Sequence, residues 1–229
     1  MSYLNQFIFG IYPYIALSIF FFGSLVRFDY NQYSWKSESS QLLQPKYLRL
    51  GNILFHIGVL GLFFGHLVGL LMPMAFWDFI GVSHSAKQLT SMVAGGIMGM
   101  CALVGILILI YRRFSSVRLR VNSTWRDKLV LIWLLITLLL GLSTIFVSAH
   151  HLDGEEMVRL IHWAQYIVTF RGNAAQCLDG VDHIYKTHLF MGMTLFVIFP
   201  FTRLVHIWSG FGTLIFLKRK AQLVRSKRF

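Results

Sequence analysis

Five long apolar stretches restrict the folds that this sequence can adopt. A helix that crosses the hydrocarbon core of a bilayer needs about 20 mostly apolar residues. The stretches that meet this requirement are 4–26, 51–72, 89–111, 129–149 and 184–208. Only 13% of the 229 residues are charged, against about 25% in a typical soluble domain. The sequence therefore predicts an all-α membrane protein, a five-transmembrane-helix bundle that forms a single membrane domain over residues 1–229.

The first and last stretches have features of their own. The first has no basic segment before it and no small-residue cleavage site, so we expect a retained helix rather than a removed signal peptide. The fifth contains Pro200, and its apolar character continues to residue 217. Because proline removes one backbone hydrogen bond, a bend is expected there.

The basic residues are concentrated on one side of the predicted bundle. Of the 21 lysines and arginines, four lie in loop 27–50, six in loop 112–128, six in the tail 218–229, and one is Arg203. The opposite loops carry the other four, together with six of the nine acidic residues. The positive-inside rule predicts an N-terminus outside and a cytoplasmic C-terminus. Contact with anionic lipid or an acidic partner explains the net charge of +12, without a nucleic-acid partner.

The predicted outer loop 150–183 is long enough to contain a helix. Asp153 followed by Glu156 resembles a helix start. Apolar residues then recur at helical spacing, at Met157, Leu160, Ile161, Ala164 and Val168. We predict a short amphipathic helix on the outer surface that caps the bundle.

Four histidines lie inside the second and fifth stretches, at positions 56, 66, 188 and 206. An imidazole in a membrane span is costly and usually serves a function. Since the two spans are antiparallel, depth pairs His66 with His188 near the outside and His56 with His206 near the cytoplasm. The pattern predicts two flat metal cofactors, each held by two axial histidines. One alternative is that each histidine only forms a hydrogen bond with a neighbouring carbonyl. Another is that His183 replaces His188 as a ligand.

The spacing of these histidines is unequal on the two spans. On straight helices His56 and His66 are separated by a rise of about 15 Å, whereas His188 and His206 share one face about 27 Å apart. Helix tilt or a bend at Pro200 has to absorb the difference. Small residues that allow a macrocycle or a neighbouring helix to approach are Gly61, Gly65, Gly69 and Gly192.

Cysteine content limits the type of cofactor. The chain has two cysteines, Cys101 and Cys177, and no C-x-x-C-H motif, which excludes covalent c-type haem and a four-thiolate iron–sulfur cluster. Copper or zinc would usually recruit Cys, Met or carboxylate ligands as well. We therefore expect two non-covalent haems. Because two histidines fill both axial positions of a haem, the expected role is electron transfer across a membrane.

Six motifs distributed along nearly the whole chain carry a resemblance to a known family. They are IYPYIA, RFDYNQYSW, LFHIGVLGLFFGH, AKQ, HWAQ and HLFMGMTLFVIFPFTRLVHIWS. Together they resemble the γ (cytochrome b) subunit of membrane-bound respiratory nitrate reductase. The resemblance implies haem b as the cofactor, with His66 and His188 on the outer (distal) haem, and His56 and His206 on the inner (proximal) haem.

The resemblance also implies a function. Members of this family oxidise quinol near the outer face of the bacterial cytoplasmic (inner) membrane. Electrons pass through two haems to an iron–sulfur β subunit in the cytoplasm, and on to a molybdenum α subunit that reduces nitrate. A place in the respiratory chain and in nitrate assimilation is expected on this basis.

A quinol site is implied at Lys87, His66 and Gly65. Lys87 is the only basic residue in its predicted outer loop. Its ammonium group can donate a hydrogen bond to a haem propionate or to the quinol oxygen. The alternative is a lysine that extends to the membrane interface without a ligand.

Two other functions stay open at the level of the sequence. The first is a di-haem b anchor of another quinone-linked enzyme, such as a formate dehydrogenase or a hydrogenase. The second is a haem-free transporter or scaffold that uses its histidines in a proton path. The first is disfavoured because the six motifs extend along nearly the whole chain. A haem assay would distinguish the second, since a haem-free protein would show no haem.

Overall fold

The computed structural model describes residues 3–31, 47–150 and 152–210, and in these ranges the chain is helical without strands. The helices are α1 (Tyr3–Gln6), α2 (Tyr12–Asn31), α3 (Leu48–Leu71), α4 (Met74–Phe79), α5 (His84–Ser115), α6 (Val117–Val121), α7 (Trp125–Ser148), α8 (Glu155–Val168), α9 (His183–Ile198) and α10 (His206–Gly210). A π-helical turn at Phe7–Ile11 joins α1 to α2. Short 3₁₀ turns occupy Ala174–Leu178, Phe199–Phe201 and Arg203–Val205.

Five of the described helical segments are long and apolar enough to cross a membrane, as the sequence predicts. They are Tyr3–Tyr30, Leu48–Leu71, His84–Ser115, Trp125–Ser148 and His183–Phe201. The third is longer than predicted at both ends, so Arg112 and Arg113 lie in the last turn of α5 rather than in a loop. The first turn of α5 is capped by Ser83, whose hydroxyl accepts from the N–H of Ala86 at 3.2 Å.

Small residues bring α3 and α5 into close contact. A Cβ atom added to Gly58 would overlap the backbone of Ala102, and one added to Gly105 would overlap the backbone of Phe55. Around the bundle the closely packed pairs of long helices are α3 with α5, α5 with α7, α7 with α9 and α9 with α2. Helices α3 and α9, which carry His66 and His188, do not form one of these closely packed pairs. Helix α3 is positioned mainly by α5, and α9 by α7 and α2.

Helix α8 is the amphipathic helix that the sequence predicts, and it caps one end of the bundle. The backbone N–H of Glu155 donates to the Asp153 carboxylate at 3.1 Å, next to Gly154 at the N-cap. The buried face of α8 packs onto α3 and onto the 3₁₀ turn Ala174–Leu178. That face consists of Ile161, Trp163, Ala164 and Ile167, whereas the predicted Val168 is exposed.

The fifth span is interrupted at Pro200, where the sequence predicts a bend, and the interruption extends from residue 199 to residue 205. Helix α9 ends at Ile198, Thr202 has an extended backbone with φ −121° and ψ −177°, and α10 begins at His206. The cause is that proline has no N–H for the helical hydrogen bond and its ring crowds the preceding turn. Residues 211–217, where the apolar stretch continues, and the tail 218–229 lie outside the described residues.

Helix α2 stabilises this break. The Arg27 guanidinium donates hydrogen bonds to the carbonyls of Pro200 at 2.7 Å and Thr202 at 2.6 Å. Gly23, one turn earlier on α2, allows the proline to lie close, because a Cβ there would be 2.9 Å from Cγ of Pro200. Two carbonyls that the helix leaves without partners are thus satisfied from another span.

Candidate functional site

The structure brings the four histidines together in two pairs. The ring centroids of His66 and His188 lie 6.1 Å apart, with 43° between the ring planes. Those of His56 and His206 lie 6.3 Å apart, with 72° between the planes. We call these the His66 pair and the His56 pair. Each joins a residue of α3 to one from the fifth span or from α10 beyond its break.

Every one of the four imidazoles is oriented by a backbone carbonyl. The Nδ1 atoms lie within hydrogen-bonding distance of carbonyls at Asn52 for His56 (2.8 Å), Leu62 for His66 (2.7 Å), Thr137 for His188 (3.1 Å) and Arg203 for His206 (2.6 Å). Because a carbonyl only accepts, Nδ1 is the donor in each contact, and in the neutral ring this leaves the Nε2 lone pair available to a metal. Metal-binding histidines are usually oriented in this way.

The distance between the rings fits two imidazoles on opposite sides of one metal ion. An imidazole nitrogen binds a metal at about 2 Å, so the centroids of two such rings lie about 6 to 6.5 Å apart. The described residues contain no group of three or more histidine, cysteine or carboxylate side chains that could hold a metal ion. Two protein ligands suit a metal whose remaining positions are filled by a planar macrocycle, as in haem.

Glycines next to the histidines leave room for such a macrocycle. A Cβ atom at Gly65, Gly69 or Gly192 would meet no atom within 4 Å. Gly61, which belongs to the same predicted set, instead contacts Met98, whose Sδ would lie 2.7 Å from an added Cβ. Of the predicted small residues, Gly65, Gly69 and Gly192 therefore lie next to open space, whereas Gly61 is involved in helix packing.

The break in the fifth span removes the unequal spacing expected from straight helices. His188 lies in α9, whereas His206 follows the irregular residues 199–205 and begins α10. The rise of about 27 Å applies only to an unbroken helix. The chain between the two histidines is not straight, and each reaches its partner on α3.

Lys87 is buried at the start of α5, with 4% of its surface exposed. Its ammonium group lies 4.5 Å from the ring centroid of Trp77 and 3.9 Å from Sδ of Met74. The indole N–H of Trp77 is also buried and has no hydrogen-bond partner among the described residues. The structure thus places Lys87 against α4, in contact with Met74 and Trp77. Among the described residues no hydrogen bond joins it to His66 or Gly65.

The remaining histidines and cysteines that are described have ordinary surroundings. His150 is exposed and bonds to the carbonyl of Phe146 at 2.7 Å. His183, the alternative ligand, is exposed at the first turn of α9. Cys101 and Cys177 are free and half-buried, and burial raises the pKa of the Cys177 thiol. His151 lies outside the described residues.

Comparison with known proteins shows the family of this chain. The family model for the nitrate reductase gamma subunit matches residues 5–227. The chain belongs to the nitrate reductase gamma subunit family. It is 49% identical to the respiratory nitrate reductase 2 gamma chain of Escherichia coli (strain K12), over 100% of both chains. It is 35% identical to the nitrate reductase gamma chain of Bacillus subtilis (strain 168), over 90% of this chain and 92% of that protein.

In this gamma-family chain the HWAQ motif has a structural role. Trp163 is buried against the first span, in the cluster around Phe9. The Gln165 amide donates to the carbonyl of Met72 at 3.1 Å, one of the carbonyls that the end of α3 leaves free. His162 is exposed. Through Trp163 and Gln165 the motif therefore attaches α8 to the first span and to the end of α3.

Two features near the histidine pairs are not evident from the sequence. Gly141 of α7 faces His188, and a Cβ there would lie 2.9 Å from Cε1 of the imidazole. Asp127, at the start of α7, is buried and forms an ion pair with Arg203 at 2.6 Å. The capping pattern Thr124–Asp127 is a sequence signal for the helix start, but it gives no information on the ion pair.

Proposed function

We propose that this chain is the membrane subunit through which a respiratory nitrate reductase takes electrons from quinol. Membership of the gamma subunit family supports the assignment to nitrate reductase. The observation that carries the proposal is the geometry of the two histidine pairs, 6.1 Å and 6.3 Å between ring centroids, with all four Nδ1 atoms bonded to carbonyls.

Each histidine pair is proposed to hold one haem b. His66 and His188 are the ligands of the outer haem, and His56 and His206 those of the inner haem. When bound, the haems would supply one-electron transfer, and two histidines would hold each of them. The protein contributes orientation, because the four carbonyls fix the ring directions. Gly65 and Gly69 on α3 and Gly192 on α9 leave open space on the helices that carry His66 and His188.

Quinol oxidation is proposed beside the outer haem, at Lys87, His66 and Gly65. A quinol loses two protons and two electrons when it becomes a quinone. The buried ammonium of Lys87 can donate a hydrogen bond to a quinol oxygen, which is strong because the donor is charged. Gly65 presents no side chain, so a flat ring can approach His66. The protons leave to the outside, and the electrons continue towards the cytoplasm.

The distribution of charge supports a direction for this transfer. The chain is proposed to be a multi-pass protein of the bacterial inner membrane, with its N-terminus outside and its basic loops and tail in the cytoplasm. There it would contact an iron–sulfur β subunit and, through it, a molybdenum α subunit. The relatives in Escherichia coli are named as respiratory enzymes, so we propose a role in respiration rather than in nitrate assimilation.

A pyridine haemochrome assay on the purified complex tests the proposal. We expect two b-type haems per chain and quinol-dependent reduction of nitrate, with no response to formate or hydrogen as the alternative cytoplasmic reactant. Absence of reduced-minus-oxidised absorbance in the cytochrome b bands would support a haem-free scaffold and reject the proposal. Two haems with turnover of formate or hydrogen, and none of nitrate, would instead indicate a different quinone-linked enzyme.

A further inference from the structure

A buried carboxylate lies between two arginines at the start of α7. Asp127 has 3% of its surface exposed. Its Oδ1 atom lies 2.6 Å from Nε of Arg203, and its Oδ2 atom lies 3.6 Å from Nη1 of Arg113. Asp127 also closes a capping box with Thr124, whose backbone N–H donates to the carboxylate at 2.9 Å. Helices α5 and α7 and the segment after the fifth span therefore meet at one carboxylate.

Arg203 connects this carboxylate to a histidine. Its carbonyl is the group that lies 2.6 Å from Nδ1 of His206. Arg203 belongs to a 3₁₀ turn that follows the break at Thr202, so the regular hydrogen bonds of α9 do not reach it. The 3₁₀ turn supplies one local bond, from the backbone N–H of His206 to the Arg203 carbonyl, and the Arg203 side chain is held from α7 by the 2.6 Å ion pair with Asp127.

We propose that Asp127 is a positioning residue for His206. Through its ion pair it holds Arg203, and the carbonyl of Arg203 directs the imidazole of His206 towards His56. Asp127 touches neither histidine and acts through one intermediate residue. This inference rests on the proposed function, since it concerns the inner haem that the His56 pair would bind.

The physical basis is the cost of leaving a buried charge without its partner. Removing one member of a buried ion pair leaves the other charge uncompensated and is strongly destabilising for that pair. The guanidinium of Arg203 would then turn towards solvent, and the 3₁₀ turn that presents the Arg203 carbonyl to His206 would lose its side-chain contact with α7. The His66 pair has no such dependence, because His188 is oriented by the carbonyl of Thr137 within the regular helix α7.

The test compares Asp127→Asn with the unchanged protein in the full complex. Haem content by pyridine haemochrome, redox titration and the EPR signals of the two low-spin haems are measured. We expect at least a twofold loss of the inner-haem component, or a change in its EPR signal, which depends on the 72° angle between the two ring planes. The outer-haem component is expected to keep its amount and its potential.

Two further variants make the result specific. Asp127→Glu keeps the charge and is expected to restore at least half of the lost inner-haem signal. Glu155→Gln is the matched control, because it removes one carboxylate from an exposed ion pair with Arg159 at 3.6 Å; both haems are expected to be unchanged. Arg203→Lys keeps the charge and the carbonyl but loses Nε, and it is expected to change the inner haem alone.

Several results would overturn the inference. One is an unchanged inner haem in both Asp127→Asn and Arg203→Lys; another is an equal loss of both haems, which indicates a general structural role. In the double variant Asp127→Asn with Arg203→Lys, an effect no larger than that of either single variant supports a joint action, whereas additive effects contradict it. If the unchanged complex itself lacked two haem components, the proposed function would fail instead.

Discussion

The indole N–H of Trp163 donates a hydrogen bond of 2.9 Å to the carbonyl of Phe9. Phe9 lies four residues before Pro13, and proline has no N–H to offer that carbonyl in a helix. A residue of the capping helix α8 therefore supplies a donor to the first span. The bond joins the HWAQ motif to the first span, at a residue just before the IYPYIA motif, which is far from it in the sequence.

We expect Trp163→Phe to destabilise the protein while leaving its fold intact. The substitution keeps an aromatic ring but leaves the Phe9 carbonyl without this donor, which costs about 1–3 kcal/mol for a buried group. Thermal unfolding in detergent measures the effect. Trp125→Phe is the matched control, because Trp125 is exposed and should change the midpoint little. Equal midpoints for the two variants would contradict a role for this bond.

Replacement of either ligand of the outer haem should remove that haem alone. In His66→Ala or His188→Ala one axial ligand is lost, whereas the His56 pair is unaffected. A redox titration should then show one haem component, and quinol-driven nitrate reduction should stop. His162→Ala, which changes an exposed histidine, should retain both components. A titration in which His66→Ala still shows two haems would disprove the assigned pairing.

Gly141→Ala should disturb the outer haem through His188. The added Cβ would lie 2.9 Å from Cε1 and 3.4 Å from Nε2 of the imidazole, so the ring must move away from its position facing His66. We expect a shifted potential or at least a twofold loss of the outer-haem component, with the inner haem unchanged. Gly95→Ala is the control, because a Cβ there meets nothing within 4 Å. The same spectrum in both variants would argue against the contact.

Lys87→Ala should leave both haems in place and weaken quinol oxidation. The ammonium is proposed as a hydrogen-bond donor to the quinol oxygen, and no haem ligand is changed. Steady-state turnover over a wide range of quinol concentrations should show at least a tenfold fall in kcat/KM. Lys186→Ala removes another lysine from the same side and should behave like the unchanged protein. Equal kcat/KM values in the two variants would exclude the proposed role of Lys87.

The helices, and which histidines belong together, could be predicted from the sequence. Apolar stretches of sufficient length have few alternatives to a spanning helix, since every backbone group must be satisfied within the segment. On antiparallel spans, position along the chain corresponds to depth. For this reason the pairing of His66 with His188, and of His56 with His206, could be predicted from the sequence. In the structure the ring centroids of these pairs lie 6.1 Å and 6.3 Å apart.

The detailed geometry of the site could not be predicted in the same way. Pro200 indicates a bend, but the length of the break depends on Arg27 of α2, which bonds to the carbonyls of Pro200 and Thr202. Asp127 and Arg203 are far apart in the sequence, and no local pattern pairs them. The placement of Lys87 against Trp77 depends on how the short helix α4 folds back on α5.

The sequence by itself determined the membrane class, the five spans, the four histidines and their order in depth, because these follow from hydropathy and from the periodicity of a helix. Only the tertiary structure decided that the fifth span breaks between Ile198 and His206, that Gly141 makes room for His188, and that Asp127 holds the segment before His206. Such contacts join residues from different spans. Their distances depend on how helices pack, which local sequence patterns do not encode.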